Sequence, residues 1–399
     1  MPWTALSFDD PPAPTPAWLH AGRIPALDGL RAIAVLLVLT AHVGTTTSAT
    51  LWPGVRTAAG QAAIGVDLFF VISGFLITTL MLREVDRTGG LDLRNFFVRR
   101  VLRIFPAYYV FLAVVYLLTR LDLASVPAGD WLAAVTYTVN FRAYPAWEVG
   151  HTWSLSVEEH FYLAWPFVIA YFSRRTALGV AAGVVVFGFL ARWVVLLWWP
   201  ELSVYLDSVT FTRIDTILFG CVLAILVRRV EAAASLGRLV RRRRFLGLGL
   251  LLLLASLAAG GVSGKYLQGI GMTANAVALT VLLWGVLLRA DAGRFRWLEH
   301  PWLTAIGVRS YSIYLWQQLF LHPGSGPLRT FPWNALLAVA AGFVSYAVIE
   351  RPLLSLRSRV RRGGSDPAGE AAAVNRPREL LPPPADLRSR TSRAGSPDC

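Results

Sequence analysis

Arg31 and His42 stand eleven residues apart in LDGLRAIAVLLVLTAHV, a permanently charged guanidinium and an imidazole that titrates near neutrality in an otherwise apolar stretch. On a helix, eleven steps of 100° leave the two side chains about 20° apart around the axis and about 16 Å apart along it. They share one face at opposite depths. Ionisable groups are costly in hydrocarbon, so an intramembrane histidine marks a functional site. The plainer reading is an Arg anchored among headgroups and a His snorkelling at the far end.

Carboxylates that could serve the imidazole follow. Asp67, in AAIGVDLFFVISGFLITTL, is expected within about one helical turn of the depth of His42. An Asp beside a His fixes its tautomer and raises its basicity, the arrangement of a general base; the alternative is an Asp that bonds a neighbouring helix for packing. In HTWSLSVEEHFYLAWPF, Glu158 and Glu159 could be capping carboxylates favoured by the helix dipole. Two of them beside His151, Trp153, Ser154 and His160 read as a polar pocket. His42, Asp67 and Glu158 are therefore expected to converge at one depth, although spacing alone does not bring them into contact. At the other side, Arg99, Arg100 and Arg103 open FFVRRVLRIFPAYY. They suit a topology signal, and Arg100 with Arg103 is also an i, i+3 pair able to grip phosphate oxygens.

The elements that must position these residues are membrane spans. The 399 residues are 55% hydrophobic and 16% charged with mean hydropathy +0.52, too apolar for an ordinary soluble protein. The net charge of +14 resides in arginines between apolar runs and reads as topology, not as a nucleic-acid footprint. Two cysteines, Cys221 and Cys399, offer neither a disulfide framework nor a metal-ligand cluster, and no metal is expected. The expected fold class is all-α: a polytopic transmembrane bundle of about ten spans, with a short re-entrant or interfacial helix at Trp131 to Phe141. If that segment does not cross, every later arginine cluster falls on the side of Arg83 to Arg100, which places both termini in the cytoplasm and makes this a multi-pass cell-membrane protein. Residues 1–23 read as a cytoplasmic leader, 24–353 as the membrane domain, and 354–399, rich in Pro and Arg, as a disordered cytoplasmic tail.

LDGLRAIAVLLVLTAH, GVDLFFVISGFL, RRVLRIFPAYY, HTWSLSVEEHFY, RIDTILFG, GVRSYSIYLW and IERP, in this order from Ile24 to Pro352, resemble the successive motifs of the acyltransferase-3 family of integral membrane O-acyltransferases. The resemblance implies transfer of an acyl group from acyl-CoA, a co-substrate and not a bound cofactor, to a hydroxyl on a sugar, cell-envelope glycan or glycosylated natural product. By position it implies His42 as catalytic, Glu158 as the acidic residue of its motif, and Arg31, Arg100 and Arg103 on the CoA side. Arg213 and Asp215, and Ser310, Tyr311 and Tyr314, match further motif positions; with Trp153 and Ser154, the residues Arg213, Asp215, Tyr311 and Tyr314 are candidates for substrate binding. One departure stands out: after SYSIYLW the family often has a His, where this chain has Gln317.

The expected mechanism is deprotonation of an acceptor hydroxyl by His42, held by Asp67 or Glu158, followed by attack on the acyl thioester; an acyl-His intermediate is the variant. The rival class is a transporter or flippase for a glycan or lipid, which also holds buried charges. Against it stand the single His and acidic cluster and the lack of paired broken helices in corresponding halves.

Overall fold

The structure, a computed structural model, describes residues 24–44, 60, 62–230, 243–289, 293–322 and 329–354. The expected leader and tail lie outside the described residues. The chain divides between Leu354 and Ser355, and every element below belongs to the first unit.

All regular elements among the described residues are helical. In chain order they are α1 Pro25–Val43, α2 Ile64–Thr88, α3 Leu93–Arg120, α4 Ala128–Val135, α5 Trp147–Gly150, α6 Trp153–Tyr171, α7 Arg174–Trp198, α8 Thr210–Val230 and α9 Arg243–Val262. There follow α10 Gly264–Leu287, which passes through a π turn at Leu267–Gly271, then α11 Pro301–Val308, α12 Ser310–Phe320 and α13 Trp333–Leu354. Eight of these, all but α4, α5, α6, α11 and α12, are long and apolar enough to cross a bilayer. The chain is a polytopic helical bundle.

Two of the ten segments expected to span take a different form. One is α6, nineteen residues interrupted in polarity by Glu158, Glu159 and His160. The other breaks at Arg309 into the eight residues of α11 and the eleven of α12, each well short of a hydrocarbon core of about 30 Å. Both carry polar residues that an unbroken apolar span would exclude, and both line the site described below.

Trp131 to Phe141 does not form a span. It contributes α4 and a single 3₁₀ turn at Val139–Phe141, and eight helical residues rise only about 12 Å. Tyr108 and Tyr109 of α3 donate their hydroxyls to the carbonyls of Ala134 and Val135 at 2.8 and 3.1 Å, strapping α4 against α3. Asp130 then holds the returning chain through Arg142 at 2.8 Å.

The helices differ in how far they are enclosed. The apolar window of α2 is 72% buried and that of α8 67%, whereas α7 and α9 bury 17% and 11% and leave Leu and Val faces for lipid. α2 and α8 run side by side in the same direction, and glycine lets them close. A Cβ on Gly74 would lie 1.9 Å from the Ile217 carbonyl oxygen, and one on Gly220 would lie 2.1 Å from that of Val71. Small residues at a crossing are how membrane helices gain packing where no hydrophobic drive separates protein from lipid. This contact fixes the azimuth of α2, and so which way Asp67 and Ser73 point.

The interfacial reading of α4 has a direct consequence for topology. With Cys221 and Cys399 replaced, a cysteine at Gly90 and one at Tyr144 are expected to react with a membrane-impermeant thiol reagent from opposite faces of sealed vesicles. Labelling of both from one face would mean that residues 128–141 cross.

Candidate active site

A cavity opens between α1, α2, α3, α6 and α12. Arg31 of α1 enters it from one side, Arg100 and Arg103 of α3 from another. The i, i+3 spacing places the last two on one face, and the start of α3 is set by Asp92, whose side chain accepts from the Asn95 amide at 2.9 Å. Arg99, one step around the helix, instead pairs with Glu84 at 3.0 Å. The guanidinium of Arg100 lies over the Tyr162 and Phe96 rings, 5.0 and 5.6 Å from their centroids, which orients its fork without neutralising it.

Facing the arginines are Glu158, Glu159 and Tyr162 of α6, Ser73 of α2, and Ser310, Tyr311 and Tyr314 of α12. Ser73 donates to Glu158 Oε1 at 2.7 Å, so the Tyr162 hydroxyl, 3.2 Å from Ser73 Oγ, is the donor in that second bond. Tyr311 donates to the Ile104 carbonyl at 2.9 Å, two residues before Pro106 in α3, and ties α12 to the arginine helix. Between the polar groups the walls are Phe69, Leu76, Ile77 and Leu155. The cavity thus offers three guanidiniums for an anion beside an apolar lining.

His42 stands at the other end of α1, in a separate polar patch. Its Nδ1 is 3.0 Å from the Val38 carbonyl; a carbonyl only accepts, so Nδ1 carries the hydrogen and Nε2 the lone pair. Around the ring are Trp147, edge-on at 5.9 Å between centroids, Gln317 of α12 and His151. His151 Nε2 lies 2.9 Å from the Leu315 carbonyl, which by the same logic leaves the lone pair on Nδ1. Burial pushes the His151 imidazole down to about 4, so it is neutral at ordinary pH. Tyr314 forms the partition between patch and cavity. Its hydroxyl donates to the His151 carbonyl at 2.8 Å and accepts from Ser154 Oγ at 2.6 Å.

The expected convergence of His42, Asp67 and Glu158 takes another form. Glu158 faces the arginine cavity, and Asp67 is ion-paired with Arg213 of α8. The reason is electrostatic: a carboxylate out of water gains more from a guanidinium than from a neutral imidazole. Arg213 is also flanked by the rings of Trp153 and Phe70, 5.6 and 5.7 Å away. Asp215 serves a second buried pair, accepting from Arg192 Nη1 at 2.8 Å and from the Thr216 amide at 2.8 Å. So among the candidates for substrate binding, Ser154, Tyr311 and Tyr314 line the cavity, while Trp153, Arg213 and Asp215 belong to the ion-pair layer beside it.

Some residues of the site were not singled out by sequence reasoning. Ser73 and Tyr162 carry no charge to betray them in an apolar run. Glu350 of the IERP segment accepts from Ser312 and sits in the field of Arg103 and Arg31; a carboxylate near the end of the last span was the signal. Arg192 was legible as a charge within LARWVVLLWW, and it is fully buried.

The acyltransferase domain family model (Acyl_transf_3) matches residues 24–349. Among curated proteins the chain is 30% identical over 364 residues to "Putative O-acetyltransferase SACOL0978" of Staphylococcus aureus strain COL, an alignment covering 82% of this chain and 57% of that relative. It is 28% identical over 367 residues to O-acetyltransferase OatA of S. aureus strain NCTC 8325, covering 83% of this chain and 57% of the relative. The chain therefore spans little more than half the length of these relatives. No solved structure matches it.

The Asp67–Arg213 pair yields a test of its role. Asp67→Asn or Arg213→Gln alone strands a buried charge and is expected to cost about 3–5 kcal/mol, read as a lowered Tm and yield, whereas the double variant recovers most of the loss. An Asp67→Asn protein with parental Tm but lost turnover would instead assign the carboxylate to chemistry.

Proposed function

The chain belongs to the acyltransferase domain family, and from that premise we propose that it is a membrane O-acyltransferase that moves an acyl group from acyl-CoA to a hydroxyl of a carbohydrate, cell-envelope glycan or glycosylated natural product. The observation that carries this reading is the cavity in which Arg31, Arg100 and Arg103 converge, with the Ser154–Tyr314 pair standing between it and the patch around His42. The names of the S. aureus relatives support an acetyl group and an oxygen acceptor.

Phosphates of the donor are the anions that three guanidiniums on converging faces suit best, since planar forks meet phosphate oxygens in pairs. The apolar walls suit the pantetheine arm, which reaches along α1 over roughly 16 Å toward His42. There the lone pair on Nε2 takes the proton of the acceptor hydroxyl as the oxygen attacks the thioester carbonyl. The thiolate that leaves recovers that proton, and an ester and free CoA result. Val38, through its carbonyl, does what a carboxylate was expected to do, fixing the tautomer without adding charge. By the positive-inside rule the arginine cavity opens to the cytoplasm, where acyl-CoA is available, both termini are cytoplasmic, and His42 lies toward the outer face.

Two outcomes test this. His42→Ala is expected to abolish acyl transfer from acetyl-CoA with expression and insertion intact; activity within a few-fold of the parent would remove the imidazole from the mechanism. Arg100→Lys with Arg103→Lys keeps the charge but loses the fork, so KM for acetyl-CoA is expected to rise while dependence on the acceptor is unchanged. Unaltered donor kinetics would return these two arginines to topology alone.

A further inference from the structure

Ser310 opens α12 and lines the arginine cavity, yet it is fully buried and, among the described residues, its hydroxyl has no hydrogen-bond partner. A serine hydroxyl can donate one hydrogen bond and accept two, and burying it with none is unfavourable. Neighbouring serines show what a settled hydroxyl does. Ser312, on the same helix, donates to Glu350, Ser154 to Tyr314 at 2.6 Å and Ser73 to Glu158 at 2.7 Å. Of the four, only Ser310 stays unspent.

The packing of α11 and α12 on α1 shows what stands beside it. Gly307 abuts the Asp28 carbonyl, where a Cβ would lie 1.8 Å from the oxygen, and further along Gln317 meets the His42 ring. The two segments therefore run in the same direction. Three residues on from the first contact come Ser310 on one and Arg31 on the other, and both line the cavity. Arg309, next to Ser310 in sequence, is turned away: its guanidinium lies over the Phe343 and Tyr346 rings, 4.5 and 5.1 Å from their centroids, and donates to the Ala305 carbonyl at 2.8 Å. Arg31 is the cation at the depth of Ser310.

Resting on the proposed binding of acyl-CoA in this cavity, we infer that Ser310 and Arg31 together hold one phosphate group of the donor, the hydroxyl donating to one phosphate oxygen and the guanidinium to its neighbours. An anion suits the pair better than an amide of the pantetheine arm, because an anionic oxygen satisfies the hydroxyl and the charge beside it at once. The arrangement also accounts for the unpaired hydroxyl. A partner at rest would have to be given up as the phosphate enters, so affinity gains from a group that is left open and already in place. Tyr311, the next residue, keeps it in place: its hydroxyl is bonded to the Ile104 carbonyl at 2.9 Å, which ties the start of α12 to the helix that carries Arg100 and Arg103.

The test is calorimetric binding of CoA to the full chain in nanodiscs, for the parent, Ser310→Ala, Arg31→Lys and the double variant, with Tm measured for each. Ser310→Ala removes one oxygen at nearly constant shape. It is expected to lower affinity for CoA about 10-fold or more, with Tm at or above that of the parent because no resting hydrogen bond is lost. Two groups on one phosphate are coupled, so in the Arg31→Lys background the same change is expected to cost about threefold or less. Parental affinity in Ser310→Ala overturns the inference. So does lost affinity accompanied by a fall in Tm, which would mark a hydroxyl already bonded at rest, and full additivity with Arg31→Lys overturns the shared phosphate. A parent that does not bind CoA defeats the donor reading itself, whereas equal binding by the parent and Ser310→Ala defeats only the role of Ser310.

Discussion

Moving a guanidinium or carboxylate out of water costs several kcal/mol unless counter-charge and hydrogen bonds replace the lost hydration. That constraint organises this bundle. Asp67 and Asp215 lie in the enclosed half of the bundle and each takes an arginine, Arg213 and Arg192, with Thr212 and Thr273 adding acceptors for the latter. The two pairs join α2, α7, α8 and α10, so the polar groups that cannot face lipid become the ties between helices. The Gly74 and Gly220 contact brings α2 and α8 close enough for the Asp67–Arg213 pair to form.

Against that paired background the site is distinct in kind. Arg31, Arg100 and Arg103 share one cavity with Glu158, Glu159 and, nearby, Glu350, an arrangement held apart around a space rather than closed into salt bridges of the sort seen for Asp67. Anions entering that space would meet fixed positive groups whose reorganisation has already been supplied by folding. Two of the segments that line it, α6 and α12, are the ones too polar or too short to count as ordinary spans. Apolarity was given up where chemistry needed it.

How much of this was legible in the sequence follows from what sequence can encode. Arg31, Arg100, Arg103 and His42 stand out because an ionisable residue in an apolar run is expensive, and helical periodicity gives each its face and depth along its own helix. It does not give the rotation of one helix against another. Asp67 and Arg213 are 146 positions apart, and only the glycine contact between α2 and α8 shows that they meet. For the same reason Glu158 was expected near His42, whereas the turn of α6 directs it to Ser73 and the arginines. Gln317 was visible as a departure from a motif; that it is buried against His42 is a property of the packed bundle alone.

The account separates donor binding at the arginine cavity from chemistry at His42, about 16 Å along one helix. Equilibrium binding of CoA to the full chain in nanodiscs, measured by calorimetry for the parent, His42→Ala and Arg100→Ala with Arg103→Ala, addresses that separation most directly. The account predicts parental affinity in His42→Ala, and affinity lowered at least about tenfold in the arginine variant, since two charge-assisted contacts to phosphate are removed. Loss of CoA binding in His42→Ala, or parental affinity in the arginine variant, would contradict it.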